Sequence, residues 1–292
     1  MMTLEIKRIG AAAVEAIQSY NNGVVFGVTS KGAFLRLEKR IIYLTALDYL
    51  SPFNLTLQEG DQRFEVLQPD DSFHIEDSTL IFPSRQIQAA TSSADVWMPP
   101  KPVPLASSLA YQNQRVDRIA RQLFSLDASK GFLFLARPAQ VDEEEFIVKT
   151  RNAAEAMITS FREREKTSFL AAASVLLGSG SGLTPSGDDF LTGFFLYHFL
   201  YDQACGKQRP FLTDWWQDVT QLAFERTTTI SANRLLFAER GWSEDIFLKL
   251  LDHLFDPRFE FPLSMVQTLL RIGHSSGVDT FTGILYAVRS MS

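Results

Sequence analysis

Residues 91–105 read TSSADVWMPPKPVPL, with prolines at 99, 100, 102 and 104. Proline fixes φ and has no backbone N–H, so neither a helix nor a central strand crosses this stretch. It reads as an extended connector, and the patterns on its two sides differ. Upstream, short β-favouring runs (Val24–Val28, Ala33–Leu37, Arg40–Thr45, Phe64–Leu67 and Thr79–Phe82) alternate with turn signals. The turn signals are Lys31-Gly32, Ser51-Pro52, Glu59-Gly60-Asp61 and Pro69-Asp70-Asp71. Ile6, Ile9, Val14 and Ile17 fall roughly on one side of a helix, which predicts helical structure over 5–20. Short strands with close turns predict an antiparallel sheet or a small barrel.

Downstream, the apolar spacing predicts helices over 106–126, 142–164, 167–177, 187–204, 211–225, 228–239, 243–255, 262–272 and 277–290. A lone strand is expected over 131–137 (GFLFLAR). Thr213 or Asp214 could cap a helix beginning at Trp215, Ser243-Glu244-Asp245 puts acids in a first turn, and Gly241 and Gly273 sit where helices end. The expected fold class is α+β. A small β-rich N-terminal domain (1–98) is joined by the proline-rich connector (99–105) to a larger, mostly helical domain (106–292).

A chain of 292 residues can bury a core in each domain, and its 24 phenylalanines predict aromatic packing there. The net charge is −6 and no lysine- or arginine-rich run exists, so nucleic acid is not an expected partner. The run Arg162–Lys166 (REREK) reads as a solvated helix face with paired charges. Cys205 is the single cysteine, which excludes an internal disulfide and a cysteine-rich zinc site. It reads as an incidental thiol near a helix end. The apolar run Ile9–Val14 is too short for a signal peptide, and Phe190–Tyr201 is too short for a membrane span, which needs ~20 residues. No membrane partner is expected and the cytoplasm is the expected location.

Chemistry concentrates in three segments. The first is Gly178–Gly193, GSGSGLTPSGDDFLTG. Gly180 and Gly182 allow close backbone approach, Thr184 and Ser186 add hydroxyls, and Gly187 opens an apolar helix whose first N–H groups could meet an anion. Asp188 and Asp189 complicate this, because a carboxylate suits a helix start but repels a bound anion. They could cap the helix and point away, bind a ligand amino group, or hold a divalent cation such as Mg²⁺ that bridges to phosphate. The spacing fits neither a Walker loop nor G-x-G-x-x-G after a strand. The second segment, Gly273–Gly283, repeats the pattern S-G-x-D-x-[LF]-T-G, so that Ser276, Gly277 and Asp279 match Ser186, Gly187 and Asp189. Two equivalent helix starts facing one cleft are expected. Ser275 adds a hydroxyl, and His274 is a candidate general acid/base or oxyanion donor, or else bonds helix-terminal carbonyls. His198 reads as a core residue. The third segment, Arg226–Arg234, is rich in hydroxyls: Thr227, Ser231 and Arg234 share a helix face, Thr228 lies beside them, and Arg234 could clamp a carboxylate or phosphate or lie on the surface.

Together, G-x-G-x-G-L-T-P-S-G-D-D, the T-T-x-x-S helix and G-H-S-S-G-x-D resemble the AllH-type family, long catalogued as a domain of unknown function. Its best-understood member is a subunit of the oxamate carbamoyltransferase of anaerobic allantoin degradation. The resemblance covers the C-terminal part of the chain, while the N-terminal domain matches only in its β-rich character. It implies a subunit of a complex that interconverts oxalurate plus phosphate with oxamate plus carbamoyl phosphate, and so implies partner subunits and a small anionic substrate. The S-T-R-T motif and α/β pattern of ordinary carbamoyltransferases are absent. On this reading Asp188, Asp189, His274 and Asp279 are the catalytic candidates, and Gly180, Gly182, Thr184, Ser186, Gly187, Thr228, Ser231, Arg234, Ser275, Ser276 and Gly277 bind substrate. No metal ligand is assigned and no cofactor is established, with Mg²⁺ left open. Two further readings stand beside it: a binding or scaffold subunit whose partner carries out catalysis, and a metal-dependent hydrolase using Asp188, Asp189 and Asp279.

Overall fold

The computed structural model describes residues 2–58 and 63–292, so the Glu59-Gly60-Asp61 turn lies outside the described residues. The chain forms two compact units that meet in sequence at Pro100 and Lys101. It is an α+β protein with a barrel-like N-terminal sheet and a helical C-terminal region.

The N-terminal unit runs β1 (Met2–Gly10), α1 (Ala11–Ser19), β2 (Asn22–Thr29), β3 (Gly32–Leu37), β4 (Arg40–Thr45), β5 (Asn54–Leu57), β6 (Ser72–Glu76), β7 (Thr79–Phe82), β8 (Ile87–Ala90) and β9 (Asp95–Trp97). The strands are ordered β5-β4-β3-β2-β6-β7-β8-β1-β9, and β1 also pairs with β5. That pairing closes eight strands into a barrel and leaves β9 as an appendage. Along β1, β8 takes Met2–Glu5 and β9 takes Arg8–Gly10. Closure removes the open edges on which sheets aggregate. The β1–β8, β1–β9 and β4–β5 junctions are parallel, so the sheet is mixed rather than wholly antiparallel. Leu4, Ile6, Leu35, Leu37, Leu44, Leu55, Phe73 and Phe82 are among the residues that fill the core of this unit.

Two expectations fail here for reasons of period. The helix expected over 5–20 is β1 followed by α1. Leu4 and Ile6 are buried while Glu5 is exposed and Lys7 only partly covered, a strand alternation, and only the alanine-rich Ala11–Ser19 is helical. The strand expected over Phe64–Leu67 is instead a 3-10 turn at Arg63–Val66 that buries Phe64 and, three residues on, Leu67.

The C-terminal unit contains α2 (Leu109–Leu126), α3 (Glu145–Glu163), α4 (Lys166–Leu176), α5 (Ser186–Cys205), α6 (Pro210–Arg226), α7 (Thr229–Ala238), α8 (Asp245–Phe255), α9 (Leu263–Leu269) and α10 (Ser276–Ser290). The proline-rich stretch is irregular. It lies against this unit, with the Val103 amide donating to Asp252 Oδ1 (3.2 Å) and the Leu105 amide to the Ala204 carbonyl (3.0 Å). α5 and α10 form the centre. Every residue from Ser186 to His198 is buried, as is every residue from Ser276 to Val288, so both helices are covered on all sides. Phenylalanines do much of the covering: Phe161 meets Phe194 edge-on at 5.5 Å between centroids, and Phe169 meets Trp215 at 5.0 Å.

Residues 131–137 are not a strand. Gly131–Ala136 form a 3-10 turn, because a strand needs a partner and this unit has no sheet. α6 begins at Pro210, five residues ahead of Trp215, with proline in its first turn, so neither Thr213 nor Asp214 caps it. The REREK run straddles the end of α3 at Glu163 and the start of α4, with Arg164 in the left-handed region. Its Arg162 donates to the Arg289 carbonyl at the end of α10 (2.5 Å) rather than pairing along one face. Cys205 ends α5 just before Gly206, and His198 is a core residue between Arg209 and Ser290.

Candidate functional site

α5 and α10 lie parallel with their N-termini side by side. At the start, the Thr184 and Ser276 hydroxyls bond to each other at 2.7 Å, and those of Ser186 and Ser275 stand 3.4 Å apart. At the far end, Ser290 Oγ and His198 Nε2 are 3.1 Å apart. Two glycines set the spacing between. A Cβ on Gly193 would come within 2.0 Å of the Thr280 carbonyl oxygen, and one on Gly283 within 1.9 Å of the Phe190 carbonyl oxygen. The contact is reciprocal, which is what a two-fold relation between the repeated motifs requires.

The repeat extends into the preceding segments. Gly187 packs on the last turn of α4, where a Cβ would meet the Leu176 carbonyl oxygen at 1.9 Å. Gly277 does the same beside α9 at the Leu269 carbonyl oxygen, at 2.1 Å. Their amides are taken within the protein, by the Ser179 carbonyl (2.8 Å) and the Ile272 carbonyl (3.2 Å). The Asp188 and Asp189 amides bond to the Pro185 carbonyl, and the Val278 and Asp279 amides to the Ser275 carbonyl. The first-turn N–H groups expected to meet an anion are therefore largely occupied. Gly187 and Gly277 serve close packing here. Gly180 and Gly182 hold φ of +112° and +98° in the loop that brings Thr184 to Ser276.

The three aspartates have different surroundings. Asp188 is fully buried and closes its own loop: Oδ1 accepts from the Gly178 amide (2.7 Å) and Oδ2 from the Thr227 hydroxyl. Burial raises its pKa, and the Gly178 and Thr227 bonds work against that rise. The buried Ser231 hydroxyl lies close by and also works against the rise. Asp189 is 1% exposed, and neither of its oxygens accepts a hydrogen bond. Arg234 Nε stands 3.4 Å from its Oδ1 as a charge partner. The Ser276 and Thr184 hydroxyls favour the carboxylate from nearby; their mutual bond uses one hydroxyl proton and leaves the other for Asp189. Burial pushes Asp189 up to about 7; the Arg234 charge opposes this and the charge of Asp279 adds to it. Asp279 Oδ1 accepts from the Phe132 amide (2.6 Å), while its Oδ2 is buried with no partner. Burial pushes Asp279 up to about 6, against the Phe132 hydrogen bond, the nearby Ser275 and Ser186 hydroxyls and the His274 charge. Both carboxyls thus titrate near neutrality, although two parallel helix dipoles present their positive ends to them.

The remaining candidates divide between site and scaffold. Arg234 is buried and committed to protein partners. Besides Asp189 it meets Glu244 Oε1 (Nη1, 3.2 Å) and Thr280 Oγ1 (Nη2, 3.5 Å). Thr228 caps α7 by accepting from the Ser231 amide (3.1 Å) and ties the loop by donating to the Leu183 carbonyl (2.7 Å). Thr227 is the residue after α6, not a member of the α7 face. His274 is exposed, and its carbonyl accepts from Lys130 Nζ (2.8 Å). Among the described residues no group of three or more His, Cys, Asp and Glu side chains is placed to hold a metal ion.

Residues 176–288 match a family model described as oxamate carbamoyltransferase subunit AllH. The match begins at the end of α4 and spans both helix starts and the Arg226–Arg234 segment, so it covers the whole paired motif. That description names a subunit of a larger enzyme and thereby implies partner subunits. No solved structure matches the chain. No described helix is long and apolar enough to cross a membrane.

Sequence reasoning missed Lys130, Gly131, Phe132 and Glu244. Gly131 holds φ at +44°, and a Cβ there would strike Asp279 Oδ1 at 2.0 Å. The available signal was the lysine-glycine pair ahead of an apolar run with no strand partner. Glu244 was read only as a helix-start acid, yet it is the second carboxylate on Arg234.

Proposed function

We propose that this chain is a ligand-binding subunit of a carbamoyltransferase complex, with the substrate anion seated where α5 and α10 begin. The observation that carries the reading is the meeting of four hydroxyls (Thr184, Ser186, Ser275 and Ser276) and two buried carboxyls at the adjacent N-termini of parallel helices. Phosphate, carbamoyl phosphate and oxamate are small and rich in acceptors. Hydroxyl donors and two helix dipoles would stabilise them and the negative charge that develops on the carbamoyl oxygen during transfer. Lys130, held to the His274 carbonyl, stands beside the second helix start as a cation for the anionic end. Asp188 shapes the loop, and Asp189 and Asp279 are the groups able to exchange protons near neutral pH.

A second reading, in which a partner subunit completes the catalytic machinery, is favoured by Arg234. Its guanidinium is already engaged by Asp189 and Glu244 and is not presented as a clamp for phosphate. The hydrolase reading has less support, because Asp188 is committed to Gly178 and Thr227.

The test is thermal stabilisation of the full chain by carbamoyl phosphate, oxamate and phosphate, each with and without Mg²⁺. Ligand at about a hundred times its Kd stabilises the native state by ~2.7 kcal/mol, well within detection. Stabilisation by carbamoyl phosphate or oxamate that is lost in Ser186→Ala supports the proposal. Stabilisation only with Mg²⁺ would move the assignment to a metal-dependent site. No response to any ligand, alone or with the partner subunits added, would refute it.

A further inference from the structure

We propose that Glu244 is a positioning residue for the site: by holding one edge of the Arg234 guanidinium it keeps that cation from closing on Asp189, so that Asp189 stands at the helix starts as a neutral acid. This rests on the reading above that an anion is bound there. It supplies a reason why a carboxyl at the seat of an anion does not repel it.

The geometry of Arg234 is the first argument. A guanidinium neutralises a carboxylate best as a fork, with two parallel N–H···O bonds of about 2.7–2.9 Å to one partner. Arg234 is not turned that way. Nε faces Asp189 Oδ1 at 3.4 Å, Nη1 faces Glu244 Oε1 at 3.2 Å and Nη2 faces Thr280 Oγ1 at 3.5 Å, so its nitrogens meet three different side chains. The second argument is the posture of Glu244. A polar side chain at a helix N-cap ordinarily accepts from the first amides, but Glu244, at the N-cap of α8, makes no such bond. Its carboxylate is buried instead, with Oε1 on Arg234 and Oε2 accepting from the buried Ser243 hydroxyl at 2.9 Å.

The charges around Asp189 complete the case. Arg234 faces it from α7 and Asp279 from α10. Asp188, next to it on α5, is closed off by Gly178 and Thr227. His274 and Lys130 stand at the Asp279 end. Glu244 already balances the Arg234 charge, so an ionised Asp189 would leave uncompensated negative charge buried beside Asp279. The titration of Asp189 at about 7 agrees with this balance. As the neutral acid, Asp189 can donate its O–H to an oxygen of the anion.

The test is carbon-13 NMR of the full chain labelled at the aspartate carboxyl carbons, with the Asp189 signal assigned by its loss in Asp189→Asn. Glu244→Gln keeps the outline of the side chain, removes its charge and releases Arg234 to Asp189. The Asp189 midpoint, about 7 in the wild type, is expected to fall by about one unit. A midpoint that stays in place or rises overturns the inference, because a merely structural Glu244 would cost stability and leave this titration unmoved. If Glu244→Gln does not fold, Ser243→Ala decides, since it takes away only the hydroxyl that holds Glu244 Oε2: a smaller fall is expected, and an unmoved midpoint overturns. Binding of sulfate, whose charge is fixed across this range, separates the inference from the reading it rests on. Wild type should bind sulfate about tenfold more weakly at pH 8 than at pH 6, and Glu244→Gln about fivefold more weakly than wild type at pH 7. A midpoint that falls as expected in a protein that binds no sulfate, alone or with its partner subunits, would refute the anion seat and leave the hold of Glu244 on Asp189 standing.

Discussion

Replacing Asp189 with asparagine keeps the outline of the side chain and removes its titration. Asp189 titrates at about 7 in the folded protein, against 3.8 for an ordinary aspartate. The native state therefore holds this proton more tightly than the unfolded chain. Its contribution to stability is fully present below pH 3.8 and is lost as the pH rises towards 7. Beyond that point the loss amounts to ~4 kcal/mol, of which about 2–3 kcal/mol accrues between pH 5 and pH 8. Asparagine has no such dependence. The stability of wild type relative to Asp189→Asn should fall by about 2–3 kcal/mol over that interval, or ~5–10 °C in Tm for a unit of this size. Tryptophan fluorescence is a suitable probe, because Trp215, Trp216 and Trp242 all lie in the helical unit. Melts of both proteins at pH 5 and pH 8 supply the double difference. Curves that stay parallel across the two pH values would refute the assignment of a buried, raised carboxyl at this position.

Other predictions concern the scaffold. Gly193→Ala and Gly283→Ala each place a methyl group against a carbonyl oxygen of the facing helix, at 2.0 and 1.9 Å, and should destabilise by about 1–3 kcal/mol in urea titrations, although alanine is the better helix former. A stability gain in either would show that the two helices are not in contact as described. Burial pushes His198 well below the usual histidine range, so the unfolded chain takes up a proton below pH 6.5 that the native state refuses. Stability should fall between pH 7 and pH 5 from this group, and His198→Gln should flatten that acid limb in thermal melts. Tyr197→Phe removes the 2.7 Å bond from its hydroxyl to the buried Gln112 Oε1 and should lower stability by about 1–3 kcal/mol in chemical denaturation. Gly131→Ala should disturb the Phe132–Asp279 bond and weaken any ligand response measured by thermal shift more than it weakens the fold.

The helical unit was largely legible because its elements are long and periodic: α5 was expected over 187–204 and occupies 186–205. The barrel was legible as a β-rich region but not as a closed one. β5, β8 and β9 are three- or four-residue strands that all pair with the distant β1, and β1 carries two buried residues at strand spacing ahead of a real helix. At the site, the repeated S-G-x-D motif correctly pointed to two equivalent helix starts, because small residues repeated at matching positions leave a visible pattern. The distribution of hydrogen bonds did not. Whether a first-turn amide is free depends on where the preceding loop puts its carbonyls, and whether Arg234 is free depends on Glu244, ten residues away. Those are tertiary facts with no local signature.

The reciprocal glycine contact between α5 and α10 also constrains how the site can move. Each glycine is a notch that accepts one carbonyl of the other helix. Sliding either helix by a single residue would set Thr192 or Phe194 of α5, or Thr282 or Ile284 of α10, against that carbonyl, so the pair is keyed against translation. The floor that carries Asp189 and Asp279 is therefore a fixed part.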